Sequence, residues 1–242
     1  MKKFCIIGVA GFVAKKHLKC IESINGKVIA ACDKHDNVGF LDSFYPEAVF
    51  FKNEKKFFQF VKKNKPDYLV VCSPSYLHFK HIISGLSSKT NVIVEKPPVL
   101  NLLNLKQIYK AEKINKKKCY CIFQLRVDDK IIKLRNKLIN SKKFNKVKIH
   151  YTTYRGDWYF KTWKNIKKLS GGLAINIGIH FFDILFWLFG DIISLRIQKK
   201  TNKKVKGFLK LTNANINWHL STEKVSAYNS SRYNFNRYMI VN

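Results

Sequence analysis

The sequence predicts an α/β fold, with an N-terminal doubly wound parallel sheet and a C-terminal α+β domain whose sheet is open and mostly antiparallel. Three observations carry this. Apolar runs of strand length alternate with helix-like periodic stretches through the first half of the chain, as expected of strands joined by crossover helices. A glycine-containing turn follows the first of those runs. After residue 145 the alternation stops, and long β-like stretches follow one another around one apolar helix.

Taken in order, strands are expected at 3–7, 28–32, 48–51, 68–72, 91–95 and 119–123, and helices at 12–24, 53–64, 76–88 and 101–116. The strands are short, β-branched and apolar almost throughout, which is the pattern of a parallel sheet covered on both faces. Further on, "VKIHYTTYRG", "SLRIQK" and "GFLKLTNANINWHL" read as β-structure, and residues 173–189 read as one helix. The domains are therefore set at 1–124 and 125–242. No internal repeat or low-complexity linker separates them.

Composition excludes several classes. At 242 residues and 46% hydrophobic, the chain can bury a substantial core. Its richest apolar window, "GIHFFDILFWLFG", is interrupted by His180 and Asp183 and falls short of the roughly 18 apolar residues of a membrane span. The start has a charged end and an apolar stretch, yet it runs straight into a strand-turn-helix pattern with no small-residue cleavage site, so a cytoplasmic location is expected. None of the six cysteines forms CxxC, and four lie in apolar β-like runs, so they read as reduced packing residues and no metal is expected. The net charge of +31 would attract nucleic acid or anionic surfaces. However, the lysine excess is scattered among Asn, Ile and Phe along the whole chain, as in a drift toward A/T-rich codons. Zinc spacing and RNP-like runs are lacking, and neither a specific nucleic acid nor a membrane is expected as a partner.

Chemistry enters at the strand ends. In "IIGVAGFVAKKHL" a buried strand leads through Gly8, Ala10, Gly11, Phe12 and Val13 into a helix, a place where backbone can approach a pyrophosphate closely. The GxGxxG fingerprint is incomplete, because Ala10 and Val13 replace its second and third glycines. Asp33, at the end of the second strand, can accept hydrogen bonds from an adenosine ribose and would repel a 2′-phosphate, so NAD rather than NADP is the expected cofactor. A loop-capping role is the alternative for Asp33. The fourth strand ends at Ser73 and Pro74, with His78 just beyond, and the fifth ends in "EKPP". Ligands of such sheets lie beyond the carboxyl ends of the strands, so Glu95 and Lys96 are expected to project toward nicotinamide. The two prolines stop the ladder and hold Lys96. Gln124 and Arg126, after the sixth strand, are further candidates for cofactor and substrate contact.

With "EKPP" and "GGLAINIGIHFFDILFWLFG" together, the chain resembles the Gfo/Idh/MocA oxidoreductases, which join a Rossmann domain to an open-sheet domain. The motifs "CSPSYLHFKHI", "FQLR", "YRGDWYFKTWK" and "NIGIHFFD" further resemble the subgroup that oxidises the 3-hydroxyl of UDP-2-acetamido-2-deoxyglucuronate for diacetamido sugars of lipopolysaccharide. The resemblance implies Lys96 and His180 as catalytic residues. It also implies a UDP-sugar uronate substrate, 2-oxoglutarate as a possible recycler of NADH, and a homotetramer. Imidazole and ammonium suit proton acceptance and alkoxide stabilisation, but which of the two is the formal base stays open. Many family members carry Asp where this chain has Asn176, and the subgroup tolerates Asn there. Asp183, one helical turn from His180, is expected to orient the imidazole.

"YRGDWYFKTWK" interleaves Arg155, Lys161 and Lys164 with Trp158, Tyr159 and Trp163. Cations there suit a carboxylate or diphosphate, and rings can pack on a sugar, although an aromatic core face with solvated cations would look similar. Members of the subgroup continue beyond the point where this sequence stops at "RYMIVN". The resemblance therefore implies a second domain apparently lacking its C-terminal part. The alternatives are a noncatalytic NAD-binding protein or another sugar dehydrogenase of the family.

Overall fold

All six apolar runs of the first half form strands in a computed structural model of the chain, in which residues 1–141, 143–224 and 235–242 are described. Contacts divide the chain into two units, Met1–Ile122 and Phe123–Asn242.

In the first unit the strands are β1 (Lys3–Ile7), β2 (Lys27–Cys32), β3 (Val49–Phe51), β4 (Tyr68–Val71), β5 (Asn91–Val94) and β6 (Cys119–Cys121). All pair in parallel, in the order β3-β2-β1-β4-β5-β6. The order reverses between β1 and β4, which puts a crevice at their carboxyl ends. Helices α1 (Ala14–Ser23) and α2 (Gly39–Phe44) cover one face, burying Leu18, Ile21 and Leu41 against Phe4, Ile6, Val28 and Val70. Helices α3 (Glu54–Asn64), α4 (Ser75–Ser87) and α5 (Leu102–Asn115) cover the other, with Phe57, Val61, Ile82, Leu86 and Ile108 against Cys5, Ile7, Leu69, Val71, Val92 and Val94. Successive strand residues thus feed opposite cores, and each fully buried Leu, Ile or Phe contributes roughly 1.5–3 kcal/mol. Asn53 and Asn101 cap α3 and α5 by accepting from the backbone N–H groups of Lys56 and Asn104. The short α2 was not expected from sequence.

The second unit opens with α6 (Asp129–Ile139), which was also not expected. Asp128 caps it, and Ile131, Leu134 and Leu138 pack at partial burial against the core of this unit. A sheet follows from β7 (Asn145–Thr153), β8 (Ile192–Lys200), β9 (Lys204–Leu211), β10 (Ala214–Ser221) and β11 (Phe235–Val241), in the order β11-β7-β10-β9-β8. Only β7 and β10 pair in parallel. Between β7 and β8 lie α7 (Asp157–Phe160), α8 (Lys167–Ser170), α9 (Gly172–Asn176) and α10 (Ile179–Phe189). Phe181, Ile184, Leu185 and Phe189 of α10 pack on Ile149, Leu209, Ile216, Trp218 and Leu220 of the sheet.

"GFLKLTNANINWHL", read as β-structure, is a hairpin of β9 and β10 turning at Thr212 and Asn213, so that Ile216 lies opposite Leu209. One expectation is corrected here. Residues 173–189 are not one helix. The chain breaks after Asn176, and at Gly178, the N-cap of α10, a Cβ would lie 2.6 Å from the Ala174 carbonyl oxygen and 3.0 Å from Leu220, so the bend requires glycine there. Among the described residues no single helix is long and apolar enough to cross a membrane. The bent pair Lys167–Asn176 and Ile179–Phe189 passes by length and composition, but α10 is the core helix of its unit.

Candidate active site

The glycine loop is built by steric necessity. Gly8 has φ +83°, and a Cβ on it would lie 2.3 Å from the Ser73 nitrogen, so only glycine lets the β1–α1 loop cross the end of β4. Gly11 is also tight, its notional Cβ 3.0 Å from the Gly8 carbonyl oxygen. Helix α1 then starts at the N-cap Val13 with neither a side-chain cap nor an acidic residue in its first turn. Its leading N–H groups and positive dipole end therefore fit a diphosphate. Phe12 stands on this loop 89% exposed.

Asp33 serves the loop and remains able to serve a ligand. Ala10 N–H donates to its Oδ2 at 3.0 Å and His35 N–H to its Oδ1 at 3.0 Å. The capping reading and the ribose reading are thus compatible, since each carboxylate oxygen keeps accepting capacity.

At the neighbouring strand ends, the buried His78 ties two segments together. Its Nε2 lies 2.6 Å from the Ser73 carbonyl oxygen and its Nδ1 2.7 Å from that of Pro97. Burial pushes this imidazole below the usual histidine range, against the pull of both carbonyls and of Glu95. Pro74 is the N-cap residue of α4. Lys96 is half-buried and precedes Pro97 through a cis peptide bond. Glu95 departs from the expected direction: its Oε1 lies 2.9 Å from Nε2 of His17 on α1. Burial alone would raise this carboxyl, but the His17 hydrogen bond and the charges of His17 and Lys96 hold it below the usual carboxylate range. The first unit therefore gathers Gly8, Ala10, Asp33, Ser73, His78 and the turn carrying Lys96 at the carboxyl ends of its central strands.

In the second unit, His180 is half-buried in the first turn of α10. The buried Asn176 donates from Nδ2 to the Tyr159 hydroxyl oxygen at 3.1 Å and lies 3.5 Å from the Lys164 carbonyl oxygen. The Arg155 guanidinium stands 5.9 Å from the Tyr159 ring centre, and the Lys164 ammonium 4.8 Å from that of Trp158. Burial, and then Arg155, lower the Lys164 ammonium below its ordinary range. Asn176, Tyr159, Lys164, Arg155 and Trp158 thus form one cluster of cations, rings and an amide. Trp163 is half-buried in the 3-10 turn Trp163–Asn165, and Lys161 is exposed. Gln124 is exposed in another such turn, Gln124–Val127.

Asp183, the residue expected to orient His180, is engaged by an arginine. Its two oxygens receive Arg126 Nε at 2.9 Å and Nη2 at 2.6 Å, a bidentate pair that neutralises the arginine. Arg126 also lies 5.7 Å from the Phe123 ring centre and 5.8 Å from that of Trp187. A guanidinium committed in this way contributes to packing of the second unit before it contributes to any ligand.

Three residues near the glycine loop escaped the sequence reading: His17, His81 and Glu54. His81 Nδ1 lies 2.8 Å from Ser73 Oγ, and its Nε2 lies 3.2 Å from Glu54 Oε2. The spacing of His78 and His81 on one face of α4 was the available signal.

Residues 2–123 match the oxidoreductase family with NAD-binding Rossmann fold, and residues 137–232 match the C-terminal alpha/beta domain of the same family. The chain belongs to the Gfo/Idh/MocA oxidoreductases. It is 35% identical to the WlbA (WbpB) dehydrogenase of Thermus thermophilus, solved in complex with NAD and UDP-GlcNAcA, with a TM-score of 0.96, covering 100% of this chain and 81% of that one. The same Thermus enzyme is also known in complex with NAD and alpha-ketoglutarate. The WlbA dehydrogenase of Bordetella pertussis shares the fold at a TM-score of 0.84 and 19% identity, over 99% of this chain and 70% of that one. Among curated proteins, glucose-6-phosphate 3-dehydrogenase of Bacillus subtilis is 27% identical over 216 residues, 85% of this chain. The chain spans 59% of the length of that relative.

Proposed function

We propose that this chain binds NAD and oxidises the 3-hydroxyl of UDP-2-acetamido-2-deoxyglucuronate to the 3-keto sugar, as a cytoplasmic step toward diacetamido uronic acids of lipopolysaccharide. The observation that carries the reading is the likeness of the whole chain, at 35% identity, to the Thermus enzyme solved with NAD and UDP-GlcNAcA. NAD, when bound, accepts the hydride. The diphosphate would rest on the N-terminus of α1 over Gly8 and Gly11, and Asp33 would receive the adenosine ribose. Lys96 and His180 are assigned to the reacting hydroxyl, one taking its proton and the other stabilising the developing alkoxide. Arg155 and Lys164 supply positive charge for the uronate or diphosphate, and Asn176 and Tyr159 supply polar groups for the sugar. The alpha-ketoglutarate complex of the Thermus enzyme supports recycling of NADH by 2-oxoglutarate within this reading, to which a homotetramer belongs only as the family resemblance implies it.

The test is NADH absorbance at alkaline pH when the purified chain meets NAD and UDP-N-acetylglucosaminuronate, with and without 2-oxoglutarate. NADH formation is expected. The likeness to glucose-6-phosphate 3-dehydrogenase favours a second reading, oxidation of a phosphosugar, so glucose 6-phosphate is the parallel substrate. Turnover of that sugar alone overturns the nucleotide-sugar assignment. A rise in melting temperature with NAD but no turnover of either sugar supports the noncatalytic alternative.

A further inference from the structure

Ser73 stands at the carboxyl end of β4, with the glycine loop pressed against its backbone. Behind it runs a buried chain: Ser73 Oγ to His81 Nδ1 at 2.8 Å, His81 Nε2 to Glu54 Oε2 at 3.2 Å, and Glu54 Oε1 to Lys80 Nζ at 2.6 Å. The order of donors in this chain is forced. An ionised carboxylate only accepts, so Nε2 of His81 must carry the hydrogen that faces Glu54. A neutral imidazole has one N–H, which leaves Nδ1 bare and makes it an acceptor. The hydroxyl of Ser73 must then donate inward to Nδ1. Both conditions on charge are met: burial keeps the His81 imidazole below the usual range against the upward pull of Glu54, with Lys80 and His78 adding to the lowering, while Glu54, raised by its own partial burial, is held below the usual carboxylate range by Lys80 and His81.

We infer that Ser73 meets the cofactor as a hydrogen-bond acceptor alone, its proton held inward by the His81–Glu54 pair. It thereby selects a donor group of the dinucleotide, either a ribose hydroxyl or the nicotinamide carboxamide N–H, and turns phosphate oxygens away. The inference rests on the NAD reading above. Ser73 is the binding residue, and His81 and Glu54 are positioning residues that act through it. An unsupported serine could rotate its hydrogen toward a phosphate; this one cannot without breaking a buried hydrogen bond.

Two measurements decide it. Nitrogen NMR of the 15N-histidine-labelled chain, with the His81 signals assigned by their loss in His81→Gln, should show Nε2 protonated and Nδ1 bare at neutral pH and above. A protonated Nδ1 overturns the inference, because Ser73 would then accept from His81 and present its hydrogen to the ligand. Calorimetry then compares NAD with 3-acetylpyridine adenine dinucleotide, which lacks the carboxamide N–H, and with NAD lacking a nicotinamide-ribose hydroxyl. Ser73→Ala should weaken NAD about tenfold, the size of one hydrogen bond, and should leave unchanged the affinity for whichever analogue lacks the partner donor. Unchanged NAD affinity in Ser73→Ala, or an equal loss with all three dinucleotides, overturns the inference. If the wild-type chain does not bind NAD, the cofactor reading falls, and the His81 tautomer still decides the polarity of the hydroxyl.

Discussion

The first unit buries both faces of its sheet under five helices, whereas the second covers one face of its sheet with α10 and its neighbours and exposes all nine residues of β8. The two cores lead to two kinds of site. Where a parallel sheet is enclosed, ligand groups gather at the strand ends and much of the candidate recognition falls to backbone: the glycine loop and the α1 N–H groups. In the second unit the candidate site is made of side chains on short helices, with Asn176, Tyr159, Arg155 and Lys164 fixing one another. A backbone site tolerates few substitutions at glycine. A side-chain site is free to change its substrate while keeping its fold.

The comparison is sharpened most by separating chemistry from binding. Lys96→Ala and His180→Ala should each cost orders of magnitude in turnover while NAD affinity, read by calorimetry, stays close to wild type. Unchanged turnover in either variant breaks the assignment of that residue. The next effect is steric. Gly8→Ala should abolish NAD binding and destabilise the fold by at least about 1–2 kcal/mol, the cost of a positive φ, with the collision against Ser73 added. Melting curves with and without NAD measure both effects. Asp33→Ala should weaken NAD binding by about tenfold or more and relax discrimination against NADP, because it removes the carboxylate that accepts from the Ala10 N–H and is proposed to receive the adenosine ribose.

The smallest expected effect is on pH dependence. His219 is held down to about 4, chiefly by burial and then by His150, whose Nδ1 lies 3.0 Å from its own; burial also lowers His78, His81 and His150. A histidine whose folded pKa lies below its unfolded value of about 6.5 takes up its proton on unfolding. Stability from these groups is therefore fully present above about pH 6.5 and is lost progressively as the pH falls toward 4. Melting temperature should fall across that window, and His219→Gln should flatten the slope.

Much of this was legible in the sequence, for identifiable reasons. Six buried strands with helices between them advertise their period, and Gly8, Asp33 and Lys96 occupy places that strand ends make special. Helix α6 escaped although Asp128 caps it and Ile131, Leu134 and Leu138 stand at helical spacing, a signal the sequence offered. The pairs His17–Glu95, Glu54–His81 and Arg126–Asp183 lie 78, 27 and 57 residues apart, and no spacing rule reaches that far. Asp183 was assigned by helical proximity to His180, and its pairing with Arg126 lay beyond that reading.

Strand β8 carries a further consequence, for how the protein behaves in concentrated solution. It forms one border of its sheet, and Ile192, Ile193, Leu195 and Ile197 are exposed along it. An apolar border strand is a template for strand addition, and Arg196, Lys199 and Lys200, within a chain of net charge +31, hold like borders apart by repulsion. That repulsion reaches about 10 Å at 0.1 M salt but about 3 Å at 1 M. Colloidal stability should therefore fall as ionic strength rises, the opposite of what salt does for a protein held in solution by a balanced surface.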